Sequence, residues 1–143
     1  MLCDVTALTE APASAGVLWK LSEPGRQLDA NVVHLPPGRR VDPHVEPDLD
    51  VLLLVVAGDG TVTGSGGEEN LTTGGLLWLP RGSRRALAAG EQGLSYVTVH
   101  RRRPGMTIRA ARPEPARSAL RVQEDLADPV RPVGEQGVRR RAL

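Results

Sequence analysis

His44 and Glu46 stand two residues apart in a stretch read as a β-strand, so their side chains point to the same side. An imidazole beside a carboxylate can move a proton to or from a bound molecule, with either group as general base. The same pair can also supply two ligands to a divalent metal. Few other groups in the chain compete for such roles. Cys3 is the single cysteine, with no His or acid–base pair near it in sequence, and it can form neither an internal disulfide nor a cysteine zinc cluster. No Ser, Cys or Thr occupies a recognisable nucleophile elbow or triad. Gly64-Ser65-Gly66-Gly67 lacks the following Lys and helix of a phosphate-cradling loop. Of the remaining imidazoles, His34 precedes a Pro turn with no acidic neighbour and reads as structural, whereas His100 closes the last clear strand.

The elements that must hold these groups are short and β-like. Residues 31–35 (N-V-V-H-L) form an apolar, β-branched run that stops at Pro36-Pro37-Gly38. Residues 51–57 (V-L-L-L-V-V-A) form a continuous apolar strand, with Gly58-Asp59-Gly60 expected as a tight turn and Thr61-Val62-Thr63 as its hairpin partner. Residues 76–79 (L-L-W-L) form another strand, ending at Pro80-Arg81-Gly82. A short strand at 86–89 is expected to turn at 90–93 into the last one, 94–100 (L-S-Y-V-T-V-H). Short strands with Gly or Pro turns at this spacing predict an all-β sandwich or barrel. No segment before residue 110 has a helical period, and residues 1–15 read as an entry segment with short ordered pieces. Beyond Arg101 the chain becomes Pro- and Arg-rich, and residues 118–128 are compatible with one amphipathic helix capped by Ser118. The organisation expected is an entry segment with first strands over 1–29, a barrel core over 30–106 and a tail over 107–143.

Composition narrows the setting. Eighteen basic residues against 17 acidic ones leave a net charge of +1, too little for a field that attracts nucleic acid. The aromatics are Trp19, Trp78 and Tyr96, too few to offer a stacking surface, so the core must be built from Val, Leu and Ala. Arg101-Arg102-Arg103 and Arg139-Arg140-Arg141 read as solvated surface. No apolar run approaches a membrane span, and no basic start with an apolar run opens the chain, so the cytoplasm is the expected location.

The turn residues carry a resemblance. Gly38 is followed by five residues and then His44-Val45-Glu46, and the next strand reaches Gly58. Gly74 is followed by five residues and then Pro80-Arg81-Gly82, with Arg85 three positions on. This skeleton, over about residues 30 to 100, resembles the two motifs of the small single-domain cupins of the RmlC-like superfamily. The resemblance implies a double-stranded β-helix, or jelly-roll, barrel. Fixed Gly and Pro offsets encode backbone turns, so they support the fold rather than a function.

The same resemblance places a divalent metal on two His and a Glu of the first motif and a His of the second. Here only His44 matches. The second His position is Glu46, the Glu position falls on Asp50 or Val51, and the second-motif His is Arg85. If the barrel resemblance holds, His44 and Glu46 face its interior, where a carboxylate needs compensation. Arg85 could supply it by pairing with Glu46 or Asp50 in place of a metal. The other solution is a retained Zn, Fe or Mn on His44, Glu46, Asp50 and His100. Alternation groups His100 with Tyr96 and Thr98, opposite Val97 and Val99. If the two valines face inward, His100 lies on the surface. Trp78 and Tyr96 are candidates either to line a pocket or to fill the core. The favoured reading is a metal-free barrel that binds a small organic, anionic ligand through His44, Glu46 and Arg85, with no cofactor. The alternative is a metal-dependent cupin enzyme of the isomerase, cyclase or dioxygenase type. In a metal-free enzyme His44 or Glu46 would be the base, with Arg85 stabilising an oxyanion. A third reading is an interaction protein with a sealed barrel. Open strand edges and the resemblance together imply a homodimer, with no nucleic-acid or membrane partner.

Overall fold

The computed structural model describes residues 1–103 and the strand positions 120–121 and 123–124. One helix, α1 (Val5–Glu10), precedes nine strands: β1 (Gly16–Lys20), β2 (Leu28–Leu35), β3 (Arg40–Val45), β4 (Val51–Gly64), β5 (Gly67–Thr72), β6 (Leu76–Leu79), β7 (Arg84–Arg101), β8 (Leu120–Arg121) and β9 (Gln123–Glu124). The helix is a correction to the expected entry segment. Asp4 caps it by accepting from the Ala7 amide at 3.1 Å, and the helix is too short to show a period. The helix expected over 118–128 lies largely outside the described residues. Its described positions, β8 and β9, pair with each other as a two-residue antiparallel ladder.

The all-β expectation holds, and two long strands organise it. β4 and β7 pair antiparallel from Val51↔His100 to Gly64↔Arg85 and change their outer partners half-way. β4 takes β6 along Val51–Leu54 and β5 along Asp59–Gly64. β7 takes β3 along Arg84–Ala88 and β2 along Leu94–Arg101. One leaf therefore runs β1-β2-β7-β4-β6 and the other β3-β7-β4-β5. Strands that pass from one leaf to the other at a bulge make the corner of a folded sheet.

That corner corrects the sequence reading. Residues 58–60 and 90–93 do not reverse the chain, and both strands run straight through them. The ladder shifts register between Val55 and Ala57 and between Gly58 and Gly60. Gly58 has a φ of +78°, and a Cβ there would collide with the carbonyl of Gly93. The glycines permit a bend and a close crossing of two strands, a requirement that reads in sequence like a tight turn.

The core lies between the leaves. Val51, Leu53 and Val55 point inward along β4 to meet Val33 and Leu35 of β2, Leu79 of β6 and Tyr96 of β7. Val62, Leu71 and Leu87 join them from the other leaf. The intervening Leu52 and Leu54 are exposed on the outer face. Aliphatic side chains do fill this interior, with Tyr96 its single described aromatic.

Candidate functional site

The second-motif turn is the local structure that delivers Arg85. Pro80 ends β6, and the Ser83 amide and hydroxyl both donate to the Pro80 carbonyl, at 3.2 and 2.7 Å. Gly82 adopts a φ of +83°, the left-handed conformation glycine tolerates, and its amide donates to the Glu46 carbonyl at 2.8 Å. The two motif loops are thereby stitched together. β7 then starts, and Arg85 becomes the direct cross-strand partner of His44 on β3. Cross-strand partners share a face. The sequence-expected neighbours His44 and Arg85 are brought side by side.

Arg85 is only 2% exposed. Its Nη1 donates to the Ser83 hydroxyl at 3.2 Å, the Ser83 carbonyl at 3.3 Å and the Pro80 carbonyl at 3.5 Å. Loss of hydration pushes its pKa well below the ordinary arginine range, and the nearby carboxylates of Glu46 and then Asp50 oppose that shift. An arginine remains protonated at neutral pH, so this is a buried positive charge.

The two carboxylates expected to pair with it also engage other groups. Glu46 is buried, but its Oε1 accepts from Nη2 of Arg103 at 2.6 Å and its Oε2 from the Asp48 amide at 2.9 Å. Asp50 accepts from the amide and guanidinium of Arg81, at 2.9 and 3.2 Å. Sequence reasoning missed Arg103, which it assigned to solvated surface. The signal was one of register: once His100 stands opposite Val51, residues just past β7 must lie beside the loop before β4. The His44 Nδ1–H donates to the Asp42 carbonyl, 3.0 Å away.

The outlying candidates separate clearly. Trp78 is not in the barrel. It alternates with the inward Leu77 and Leu79, stands opposite Leu52 and is 41% exposed on the outer face. Tyr96 is buried in the core. Val97 and Val99 stand opposite the outward Leu54 and Leu52, so His100 takes the inward parity and is not the surface residue that inward valines would have made it. It lies at the end of the strand, with Nδ1 2.8 Å from the Arg101 carbonyl.

No family model and no curated protein matches the sequence. Solved structures do. The cupin domain of Cnp3 from Schizosaccharomyces pombe is similar at 17% identity and a TM-score of 0.55, over 63% of this chain and 65% of that one, a little under two thirds of its length. A cupin protein from Bacteroides fragilis is similar at 18% identity and a TM-score of 0.55, over 73% of this chain and 93% of that one. KdgF from a Halomonas species is similar at 21% identity and a TM-score of 0.55, covering 66% and 87%. This chain has the cupin fold.

Among the described residues no three His, Cys, Asp or Glu side chains gather closely enough to hold a metal ion. Of the four alternative ligands, Asp50 is bonded to Arg81, and Glu46 to the Arg103 guanidinium and the Asp48 amide. A cation next to Arg85 would also meet Coulomb repulsion.

The imidazoles give this cupin barrel a pH dependence. Burial pushes His34 below the usual histidine range, and it is bonded to the Ser95 hydroxyl at 2.9 Å. Burial does the same to His100. The Arg101 carbonyl, Asp29 and Glu46 pull its pKa back up, while Arg103 pushes it down. In the unfolded chain both imidazoles take up protons near the ordinary value of 6.5. The folded chain takes them up only at lower pH, so stability is lost as pH falls below that value and through the folded pKa values. Urea midpoints should therefore be lower at pH 5.5 than at pH 8, and the difference should shrink in a His34→Gln/His100→Gln double variant. An equal pH difference in that variant would assign the effect to carboxylates instead.

Among the described residues no helix is long and apolar enough to cross a membrane.

Proposed function

We propose that the barrel binds a small organic anion, without a tightly held metal, and that Arg85 is its counter-charge. The observation that carries this reading is a guanidinium buried within the barrel as the cross-strand partner of His44. Burying a cation is unfavourable unless an anion offsets it, and a carboxylate or phosphate matches the guanidinium fork in shape as well as charge. His44 then serves as a polar anchor on the same face. Glu46 holds the wall of the site through Arg103 and the Gly82 amide rather than contacting the ligand's charge.

The test is calorimetric titration and thermal melting of the purified full chain with succinate, benzoate and inorganic phosphate. Glucose and matched sodium chloride are the controls. A saturable rise in Tm with one of the anions, absent with both controls, is the expected result. Equal shifts with chloride would show general ionic stabilisation and sink the reading. So would the absence of any saturable response to the three anions.

A further inference from the structure

Of the three glycines in β4, Gly64 is the one that the backbone does not explain. Gly58 and Gly60 have no room for a Cβ, which would run into the carbonyls of Gly93 and Ala88. Gly64 has a φ outside the left-handed region, and a Cβ there would meet nothing closer than the Arg84 carbonyl oxygen at 3.5 Å, an ordinary contact. Glycine weakens a strand. A ladder position that could carry a side chain and does not is one where something else approaches closely. The register shows what lies beside it. Gly64 is the cross-strand partner of Arg85 on one side and of Gly67 on the other, and Arg85 in turn stands opposite His44. Directly opposed residues share a face, so one row across the leaf reads His44, Arg85, Gly64, Gly67. Neighbouring strands lie about 4.8 Å apart, so the two glycines leave a strip roughly 10 Å wide without a side chain, next to a buried arginine. The strip runs outward, from half-buried Gly64 to exposed Gly67. The next row of the same face reads Val41, Leu87, Val62, Glu69, with Leu87 and Val62 buried and Glu69 exposed at the rim.

We infer that the body of the bound anion lies in this strip, that Gly64 is the residue that admits it, and that the ligand is a monocarboxylate carrying a flat apolar group. The inference rests on the anion-binding reading above and specifies its ligand. The carboxylate is drawn to Arg85, and the group behind it extends over Gly64 and Gly67 with Val62 and Leu87 as its neighbours. Apolar surface gains by leaving water there. No hydrogen-bonding side chain stands in the strip, so a hydroxylated body would give up its water without replacement. A second carboxylate at the outer end of the strip would approach Glu69, a charge of its own sign.

The test is calorimetric titration of the full chain with benzoate, acetate, succinate and inorganic phosphate, for the wild type, Gly64→Ala, Gly64→Leu and Thr63→Leu. Thr63 is exposed on the opposite face, so its variant carries the same bulk away from the strip. The wild type should bind benzoate roughly 10-fold or more tighter than the other three anions. Gly64→Leu should lose roughly 10-fold or more in benzoate affinity and keep its acetate affinity. Gly64→Ala should lose less, and Thr63→Leu should match the wild type. Unliganded Tm values at or above that of the wild type certify folding. Should Gly64→Leu fail to fold, the comparison is read on Gly64→Ala, where unchanged benzoate affinity overturns the inference. A wild type that binds acetate, succinate or phosphate as tightly as benzoate overturns it and leaves the anion-binding reading standing. So does a folded Gly64→Leu protein that binds benzoate like the wild type, or that loses acetate and benzoate equally, which would show a disturbance of Arg85 itself. No saturable response to any of the four anions in the wild type removes both.

Discussion

Replacing Gly58 with alanine should leave the chain unable to reach its native fold, with a destabilisation beyond about 4 kcal/mol, the range reserved for a few severe mechanisms. Two of those mechanisms coincide at this residue. Its φ of +78° is a conformation that an L side chain adopts only with strain. The added Cβ would also collide with the Gly93 carbonyl oxygen, and lie 2.8 Å from its carbon and 3.3 Å from the Leu94 Cα, all backbone atoms. No rotamer change relieves such a contact. β7 would have to retreat from β4 at the corner where both strands pass between leaves, and Leu94, fully buried, is the next residue along. The measurement is soluble yield, circular dichroism and urea unfolding of Gly58→Ala beside Gly66→Ala. Gly66 has open space around it and no positive φ, so its alanine variant should stay within about 0.5 kcal/mol of wild type. A Gly58→Ala protein that melts like the wild type would mean that the corner is more plastic than its geometry implies.

That corner also shows what the sequence could reveal. The glycines at 58 and 60 were legible as punctuation, and the apolar runs beside them as strands. Whether punctuation reverses a chain or bends it depends on a partner strand some thirty residues away, which no local pattern contains. The motif skeleton around Gly38, Gly74 and Pro80-Arg81-Gly82 was more informative, because it specifies two loops that must meet. The Gly82 amide bonded to the Glu46 carbonyl is that meeting. The pairing of His44 with Arg85 followed from it.

The charges were less legible. Alternation put His44 and Glu46 on one side, but β3 ends at Val45, and the Glu46 carboxylate is bonded to Arg103, fifty-seven positions away. Long flexible side chains choose partners by three-dimensional proximity, and an Arg triplet after a strand gives no hint of which member turns back. Trp78 illustrates a related limit. Trp78 and Tyr96 were both candidates to line a pocket or to fill the core, and Trp78 does neither. Its exposure leaves no mark in periodicity, because both faces of residues 76–79 are hydrophobic.

Arg85→Met should abolish anion-induced stabilisation while leaving the unliganded barrel as stable as the wild type, or more so. Methionine is unbranched and adaptable enough to follow much of the arginine's aliphatic path, and it removes a charge whose burial is unfavourable. The neutral groups that Nη1 touches retain other bonds: the Ser83 hydroxyl still donates to the Pro80 carbonyl at 2.7 Å. Exchange of a buried ionic group for a well-packed apolar one is commonly neutral or stabilising by about 1–4 kcal/mol. The binding loss should be large. A charge-assisted hydrogen bond contributes about 1.5–3 kcal/mol, and a bidentate pair adds a second bond, so affinity for the anion that stabilises the wild type should fall at least 10-fold and up to several hundred-fold. Arg85→Lys keeps the charge but not the planar fork and should retain part of the response. Calorimetric unfolding of the three proteins, each with and without that anion, separates the roles. If Arg85→Met lost more than about 3 kcal/mol without ligand, the guanidinium would be one half of a structural ion pair, and the anion site would have to be sought elsewhere in the barrel.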